Sequence, residues 1–188
     1  MIPEITDILQ VGFITPIRNS GYVDYELGTS AIATPSSNGF TELWSCYYDK
    51  LTGAIQLFKV SDPEAKSTIT SVMNARYIGF AFDQNMRPSV CYSLGDDAYL
   101  YWFDSVLGAF TVTHIPNAVT PCVNLDDPRA ISSAVNDIVL AYISNDQLCV
   151  RYQRERFLVE HILDTLPPNR RLRQIGMNLQ YRYQFLVM

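Results

Sequence analysis

Two stretches of this sequence, 55 residues apart, repeat the same order of side-chain types. "YLYWFDSVLGAFTVTHI" spans Tyr99 to Ile115, and "WSCYYDKLTGAIQLFKV" spans Trp44 to Val60. In each stretch an aromatic run ends in Asp, a Gly follows four residues later, and apolar residues then alternate. A period of two, interrupted by Asp and Gly, predicts two strands joined by a tight turn. The sequence therefore predicts the same β-hairpin twice, with Asp49 equivalent to Asp104.

The second hairpin lies in a longer run of strand-like segments. These segments are Ile78–Phe82, Ser89–Tyr92, Tyr99–Phe103 and Ala109–Ile115. Their separators, "DQNMRP", "LGDD" and "DSVLG", carry the Asn, Asp and Gly residues that tolerate a left-handed backbone. The run predicts four antiparallel strands joined by short hairpins.

A further copy is predicted at 138–163, "IVLAYISNDQLCVRYQRERFLVEHIL", which aligns with 89–115. The aligned pairs are Tyr142 with Tyr92, Leu148 with Leu100, Phe157 with Phe110, His161 with His114, and Ile162 with Ile115. The offset slides from 50 to 47, which we attribute to shortened turns. A partial copy begins at "QIGMNLQYRYQFLVM", where Ile175-Gly176 matches Ile78-Gly79.

The strand Ala98–Phe103 is apolar on both faces. Leu100 and Trp102 lie on one face, and Tyr99, Tyr101 and Phe103 on the other. A sheet that faced water on one side would alternate polar with apolar residues. Repeats of about 45–55 residues with four short strands indicate propeller blades. We therefore expect an all-β fold of propeller-like repeats of four-stranded antiparallel blades, with a β-sandwich as the alternative.

We expect a single all-β domain over residues 1–188. Residues 1–40 form a divergent N-terminal arm and strands, with Met1 to Gln10 as a clasp on another subunit, and residues 41–188 form the blade-like repeats. About three and a half copies fit, so either the first 40 residues complete a fourth blade or several chains share the assembly. The segment "SDPEAKSTITSVMNA", Ser61 to Ala75, carries a helix-start pattern with Thr-rich continuation, which predicts one or two helical turns or a loop.

Composition and charge favour contacts with other proteins. Charged residues make up 18 %, below the roughly 25 % of an ordinary domain, while Tyr and Phe number 12 and 9. Residues 151–188 carry seven Arg and three acidic side chains, whereas residues 1–150 carry seven basic and sixteen acidic ones. This polarity favours head-to-tail contacts in a homo-oligomer, with a solvated rim as the alternative. The acidic total of −5 argues against a nucleic-acid partner.

Metal ligation and membrane insertion have little support in the sequence. The four cysteines form no CxxC pair, and we expect reduced, buried thiols. Calcium binding at Asp96 and Asp97, or at Asp126 and Asp127, would need more oxygen ligands than these loops supply. The acidic N-terminus does not resemble a secretory signal, and no apolar stretch is long enough to span a membrane.

No catalytic motif stands out, so we expect neither an enzyme nor a cofactor. His114 and His161 recur through the repeat, which favours a structural role, and Asp49 and Asp104 are expected to accept hydrogen bonds from turn N–H groups. Propeller glycosidases such as sialidases use arginines from separate blades with Asp-box turns. Arg151, Arg154 and Arg156 are too close in sequence for that arrangement, and the SxDxGxTW box does not occur.

The pattern over Tyr77 to Phe185 resembles a family of bacteriophage virion proteins of the tail or tail fibre. The elements that carry the resemblance are "YIGFAFDQNMRPSVCYS", "AYLYWFDSVLGAF", "VNLDDPRAI", "DIVLAYI", "LCVRYQRERFLVEHIL" and "RLRQIGMNLQYRYQF". The resemblance implies a structural component of the virion, in the tail or tail-fibre attachment region, that is assembled in the host cytoplasm and contacts other tail proteins. The alternative is a propeller that binds or cleaves a host-surface glycan, for which exposed Tyr and Trp rings would serve as a platform.

Overall fold

A computed structural model describes residues 30–35, 41–83, 85, 87–125, 138–177 and 183–188. These residues form fourteen strands and one turn of 3-10 helix, Gln153–Glu155. Sheet I contains β1 (Ser30–Pro35), β2 (Thr41–Tyr48), β3 (Ala54–Lys59) and β4 (Asp62–Ser71). Sheet II contains β5 (Arg76–Phe82), β6 (Pro88–Leu94), β7 (Asp97–Asp104) and β8 (Ala109–Ile115).

Sheet III contains β9 (Val119–Leu125), β10 (Ile138–Ser144), β11 (Gln147–Tyr152) and β12 (His161–Thr165). Sheet IV contains β13 (Leu172–Met177) and β14 (Tyr183–Val187). Within every sheet each strand pairs antiparallel with the next along the chain. The all-β fold is confirmed, and the four predicted strands of sheet II lie within two residues of their observed ends.

The sheets stack in chain order, and each interface between them is an apolar cluster. Sheets I and II bury Tyr48 and Leu57 against Phe80 and Val90. Sheets II and III bury a second cluster, and sheets III and IV a third. The first strands of successive sheets contact one another, β1 with β5, β5 with β9 and β9 with β13. The outer strands β4, β8 and β12 are largely exposed, which is the arrangement of propeller blades.

Sheet II is apolar on both faces because a neighbouring sheet covers each face. Leu100 and Trp102 are buried against sheet III, whereas Tyr99 and Tyr101 pack against the cluster shared with sheet I. Sheet III repeats this division. Its Leu140 faces sheet II, and Ala141, the next residue, faces sheet IV. The two-sided pattern predicted for Ala98–Phe103 is confirmed.

The two-residue turns use residues suited to a left-handed backbone. Asn145 and Asp146 connect β10 to β11 with φ values of 50° and 58°. Both central residues of a type I′ turn need positive φ, and Asn and Asp adopt it more readily than most residues. Gly95, with φ of 59°, begins the equivalent turn between β6 and β7.

The repeated hairpin has the same register in both copies. Trp44 pairs with Lys59, and Tyr99 with His114, at the same offset of 55 residues. The two copies occupy different depths, however, because the first forms β2 and β3 of its sheet and the second forms β7 and β8. Strand β3 is central, so its Leu57 is buried, whereas the equivalent Val112 on the outer strand is 49 % exposed. One hairpin sequence therefore serves as blade interior and as blade rim.

The alignment of the third copy is correct at Tyr92 and Tyr142, which face the preceding sheet in each case. The other pairs are wrong. Leu148 pairs with Ile143, the position that Ala98 holds in sheet II, because both connecting turns have two residues. The added residues lie instead between β11 and β12, which places Phe157 outside any strand.

That longer connection also shifts the histidines. His114 pairs with Tyr99, whereas His161 pairs with Val150, the equivalent of Leu100, so the histidines differ by one position in register. In consequence Ile162, not His161, is the equivalent of His114. The partial copy is placed as predicted, because Ile175-Gly176 and Ile78-Gly79 both lie on first strands and both isoleucines face the preceding sheet.

The segment Ser61 to Ala75 is a strand, not helical turns or a loop. Asp62–Ser71 forms β4, which pairs with β3 at the outer edge of sheet I. Its β-branched Thr68, Ile69 and Thr70 favour a strand, and Pro63 is tolerated because an edge strand needs no donor on its outer side.

The predicted N-terminal clasp at Met1 to Gln10 lies outside the described residues. Strand β1, at Ser30–Pro35, belongs to sheet I, so the first sheet begins within the segment assigned to the divergent arm. Among the described residues, no helix combines the length and the apolar character that crossing a bilayer requires.

Substituting Gly53 and Gly108 by Ala tests the two depths of the repeated hairpin. Both glycines have positive φ, 72° and 65°, which costs a residue with a Cβ about 1–2 kcal/mol. A Cβ on Gly53 would also lie 2.9 Å from the carbonyl carbon of Val72, whereas a Cβ on Gly108 would meet open space. We expect Gly53→Ala to lower the urea midpoint of unfolding more than Gly108→Ala does. Equal shifts would contradict the different depths.

Candidate functional site

The two histidines each bind a carboxylate of their own sheet and do not form a pair. His114 Nε2 lies 2.8 Å from Asp97 Oδ2, and its ring stacks on Tyr99. His161 Nε2 lies 2.7 Å from Glu155 Oε2. The hydrogen bond from His114 holds the pKa of Asp97 below its usual range, with help from the Asn117 N–H.

The recurring Asp residues accept hydrogen bonds from their own turns, as predicted. Asp49 accepts the N–H of Leu51 at 2.9 Å, and Asp104 accepts the N–H of Val106 at 2.8 Å. A carboxylate that binds turn N–H groups stabilises the turn without any ligand. Both aspartates therefore have a structural role at the ends of their strands.

Asp104 has a second partner that Asp49 does not share among the described residues. Its carboxylate is buried and binds Arg156, a residue of the connection between β11 and β12, at 2.6 and 3.0 Å. Gln153, from the same connection, donates to the Phe103 carbonyl oxygen. Burial alone would raise the pKa of Asp104, but the hydrogen bonds from Arg156 and from the turn outweigh it and lower the pKa. This ion pair fastens sheet III onto sheet II.

The connection that carries Arg156 is held in a strained conformation. Arg156 and Phe157 both have positive φ, 54° and 57°. Phe157 is fully buried and packs edge-on against Trp102, with ring centroids 4.9 Å apart. A left-handed backbone at a large side chain persists only where its surroundings impose it, and such sites often have a functional reason.

The strained connection presents an apolar patch at the rim. Leu158 and Val159 follow Phe157 and are 73 % and 48 % exposed, while Val106 and Leu107, in the turn bound by Asp104, are 72 % and 62 % exposed. The Asp104 carboxylate bonds to the backbone of that turn and to Arg156, so it brings the two segments together. We call Val106, Leu107, Leu158 and Val159 the rim patch.

Tyr142, Arg151 and Glu160 form a separate polar network between sheets II and III. Arg151 Nε donates to the Tyr142 hydroxyl at 2.7 Å, and that hydroxyl donates to Glu160. Burial, reinforced by Glu160, raises the pKa of Tyr142 well above its ordinary value, so its phenolate is inaccessible near neutral pH. The trio includes the residue types of a sialidase nucleophile, but this tyrosine is fully buried and its arrangement suits packing.

The three arginines that the sequence analysis compared with a sialidase cluster point to different partners. Arg151 binds Glu160, Arg156 binds Asp104, and Arg154 stacks over Tyr152 at 3.9 Å. They do not converge on a shared ligand.

The cysteines and acidic loops offer no metal centre in the described ranges, where no three candidate ligands are grouped. All four cysteines are buried free thiols, and burial raises the pKa of Cys149 to about 11. Asp97 already binds His114 and the Asn117 N–H. Asp126 and Asp127 lie outside the described residues.

An aromatic strip crosses the outer half of sheet II on the side of sheet I. Tyr92, Tyr99 and His114 stack in series, and beside them Tyr101 stacks on Phe110 with centroids 5.0 Å apart. Phe110 is 41 % exposed. Such cross-strand pairs stabilise the sheet, and the free face of Phe110 adds apolar surface near the rim.

Sequence reasoning missed one contact between distant segments. Arg171 Nη1 donates to the Tyr77 hydroxyl at 2.9 Å across 94 residues. Neither residue belongs to a recognisable motif, and only the stacking of first strands brings them together. Comparisons with protein families, with curated proteins and with solved structures found no match. Function must therefore be argued from the residues themselves.

Replacing Asp104 tests the ion pair between the sheets. Asp104→Asn should lower the thermal midpoint at pH 7 more than Asp49→Asn, because only Asp104 binds an arginine of another sheet among the described residues. The folded-state pKa of Asp104 lies below its unfolded value of about 3.9. Its stabilisation is therefore complete above that value and is lost as the pH falls through the lower, folded-state pKa. Calorimetry from pH 7 to pH 2 should show the gap between wild type and Asp104→Asn closing in acid, and a constant gap would contradict the account.

Proposed function

We propose that the chain is a structural component of a bacteriophage virion, in the tail or the tail-fibre attachment region, that acts through protein–protein contacts. The rim patch is the observation that carries the proposal. The resemblance of Tyr77 to Phe185 to virion tail proteins supplies the identity of the assembly, and the low share of charged residues agrees with a covered surface.

The rim patch has the features of a preorganised binding surface. Four aliphatic side chains lie together and are half or more exposed, and the Asp104–Arg156 ion pair and buried Phe157 fix their positions. An interface gains affinity when its contact residues need no ordering on binding. Adjacent exposed aliphatics on a rigid support are typical of a protein contact, whereas scattered ones are ordinary surface.

Strand β12 extends the apolar surface beyond the rim patch. Ile162 and Leu163 are 56 % and 46 % exposed, and Val112 on β8 is 49 % exposed. A ring of virion subunits would cover outer strands of this kind, and closed rings are a common form of homo-oligomer. The proposal assigns the chain no reaction.

A glycan-binding propeller is the second candidate function. The free face of Phe110, stacked on Tyr101 beside the charged His114–Asp97 pair, is the arrangement that favours it. Aromatic faces pack against the C–H groups of sugars. Specific retention on a glycan array, lost in Phe110→Ala, would favour this candidate over the structural one.

Incorporation into particles tests the structural proposal. In purified particles of a phage that encodes this chain, mass spectrometry should find the chain at a fixed ratio to the other tail proteins. The double variant Val106→Ser/Leu158→Ser, supplied in trans against a null background, should be incorporated at least about tenfold less, since each lost aliphatic contact removes roughly 1 kcal/mol or more.

Leu51→Ser provides the matched control. Leu51 holds the position of Val106 in the first hairpin and is 88 % exposed, but it lies outside the rim patch. We expect its incorporation to be unchanged. Particles that lack the chain, or that take up the double variant normally, would contradict the proposal.

A further inference from the structure

One end of the sheet stack carries arginines that the proposed function does not use. Arg76 lies at the start of β5, and Arg170 and Arg171 precede the start of β13. All three are exposed. Because first strands of successive sheets lie side by side, their starts meet at the same end of the stack.

Arg171 is fixed through its backbone and its side chain. Its N–H donates to the Met188 carbonyl oxygen at 2.8 Å, and its carbonyl accepts the Met188 N–H at 3.0 Å. Its guanidinium donates through Nη1 to the Tyr77 hydroxyl. The next residue, Leu172, is fully buried and donates its N–H to Thr120 Oγ1 at 3.0 Å. An exposed arginine usually retains its side-chain freedom, which is lost here before any ligand binds.

The two residues that hold this segment share an unusual backbone conformation. Tyr77 and Thr120 have φ values of 51° and 52°, and each lies in a bulge of a first strand, β5 or β9. The bulges are equivalent, because Gly79 and Cys122 pair with the equivalent residues Cys91 and Ala141. Bulges re-aim side chains and are enriched beside functional sites. Here both re-aimed side chains hold the Arg171 segment.

Charge pairing separates this end from the rest of the molecule. Arg87 and Arg156 each bind a buried aspartate, and Arg151 binds Glu160. Within the described part of the chain, Arg170 and Arg171 contact no carboxylate. Arg171 uses one nitrogen for a neutral hydroxyl, which leaves its other guanidinium N–H groups able to donate to an anion.

We propose that Arg171, with Arg170 and the Tyr77 hydroxyl, binds an oxyanion of the phosphoryl class. A rigid guanidinium fork matches two oxygens of a phosphate, and a second arginine favours a doubly charged group over a single carboxylate. The phosphoryl group may be read as either free phosphate or a phosphate ester of a sugar, which present the same oxygens. The inference does not depend on a role in the virion.

Calorimetric titration at low ionic strength tests the site, with inorganic phosphate and glucose 6-phosphate as probes and glucose as the uncharged control. We expect saturable binding of a phosphate probe and none of glucose. Arg171→Gln should weaken binding at least about tenfold, the effect of one charge-assisted hydrogen bond, and Tyr77→Phe should weaken it less. Tighter binding of glucose 6-phosphate than of phosphate would identify the ester as the source, and equal binding would identify free phosphate.

Arg154→Gln is the matched control, because Arg154 is an exposed arginine that stacks on Tyr152 away from this end. Its binding should equal that of the wild type. The circular dichroism spectrum and thermal midpoint of each variant show whether it folds. Undetectable phosphate binding, binding unchanged in folded Arg171→Gln, or an equal loss in Arg154→Gln would overturn the proposal, and none of these results bears on incorporation into particles.

Discussion

The structure depends on sheets that are apolar on both faces and must therefore be covered on both. In sheet II, Leu100 and Trp102 are buried against sheet III while Tyr99 and Tyr101 pack toward sheet I, and sheet III repeats the division. A sheet of this kind exposed to water on one side would lose roughly 1.5–3 kcal/mol for each large side chain uncovered. Stacking in chain order satisfies this requirement with short connections, and it places first strands together and fourth strands at the rim.

The two candidate surfaces follow from that stacking. At the rim, a short turn on sheet II and a longer connection on sheet III meet at Asp104, whose carboxylate binds Arg156 and orients the rim patch. At the other site, the starts of first strands bring Tyr77 and Arg171 within hydrogen-bonding distance although 94 residues separate them. In both places a left-handed backbone at a residue other than glycine is held by its surroundings, which is the form in which strain accompanies function.

The strands of sheet II could be predicted because period-two alternation and turn residues act locally. The depth of each hairpin could not be predicted, since "AIQLF" and "AFTVT" are both strand-like and only the neighbouring sheet decides that Leu57 is buried and Val112 exposed. The segment Ser61 to Ala75 misled for the opposite reason, because a local helix-start pattern was overridden by pairing with β3. The Tyr77–Arg171 contact has no local signal, because it arises from the stacking itself.

Hydrogen exchange of Leu100→Ala tests most directly whether the stacked sheets form one cooperative unit. Leu100 is fully buried between sheets II and III, and its truncation should cost about 2–5 kcal/mol. We predict that the free energy of exchange of the most protected amides falls by the same amount in β6 and β7 of sheet II as in β10 and β11 of sheet III. A loss of protection confined to sheet II would show that the sheets fold independently, and it would contradict the account.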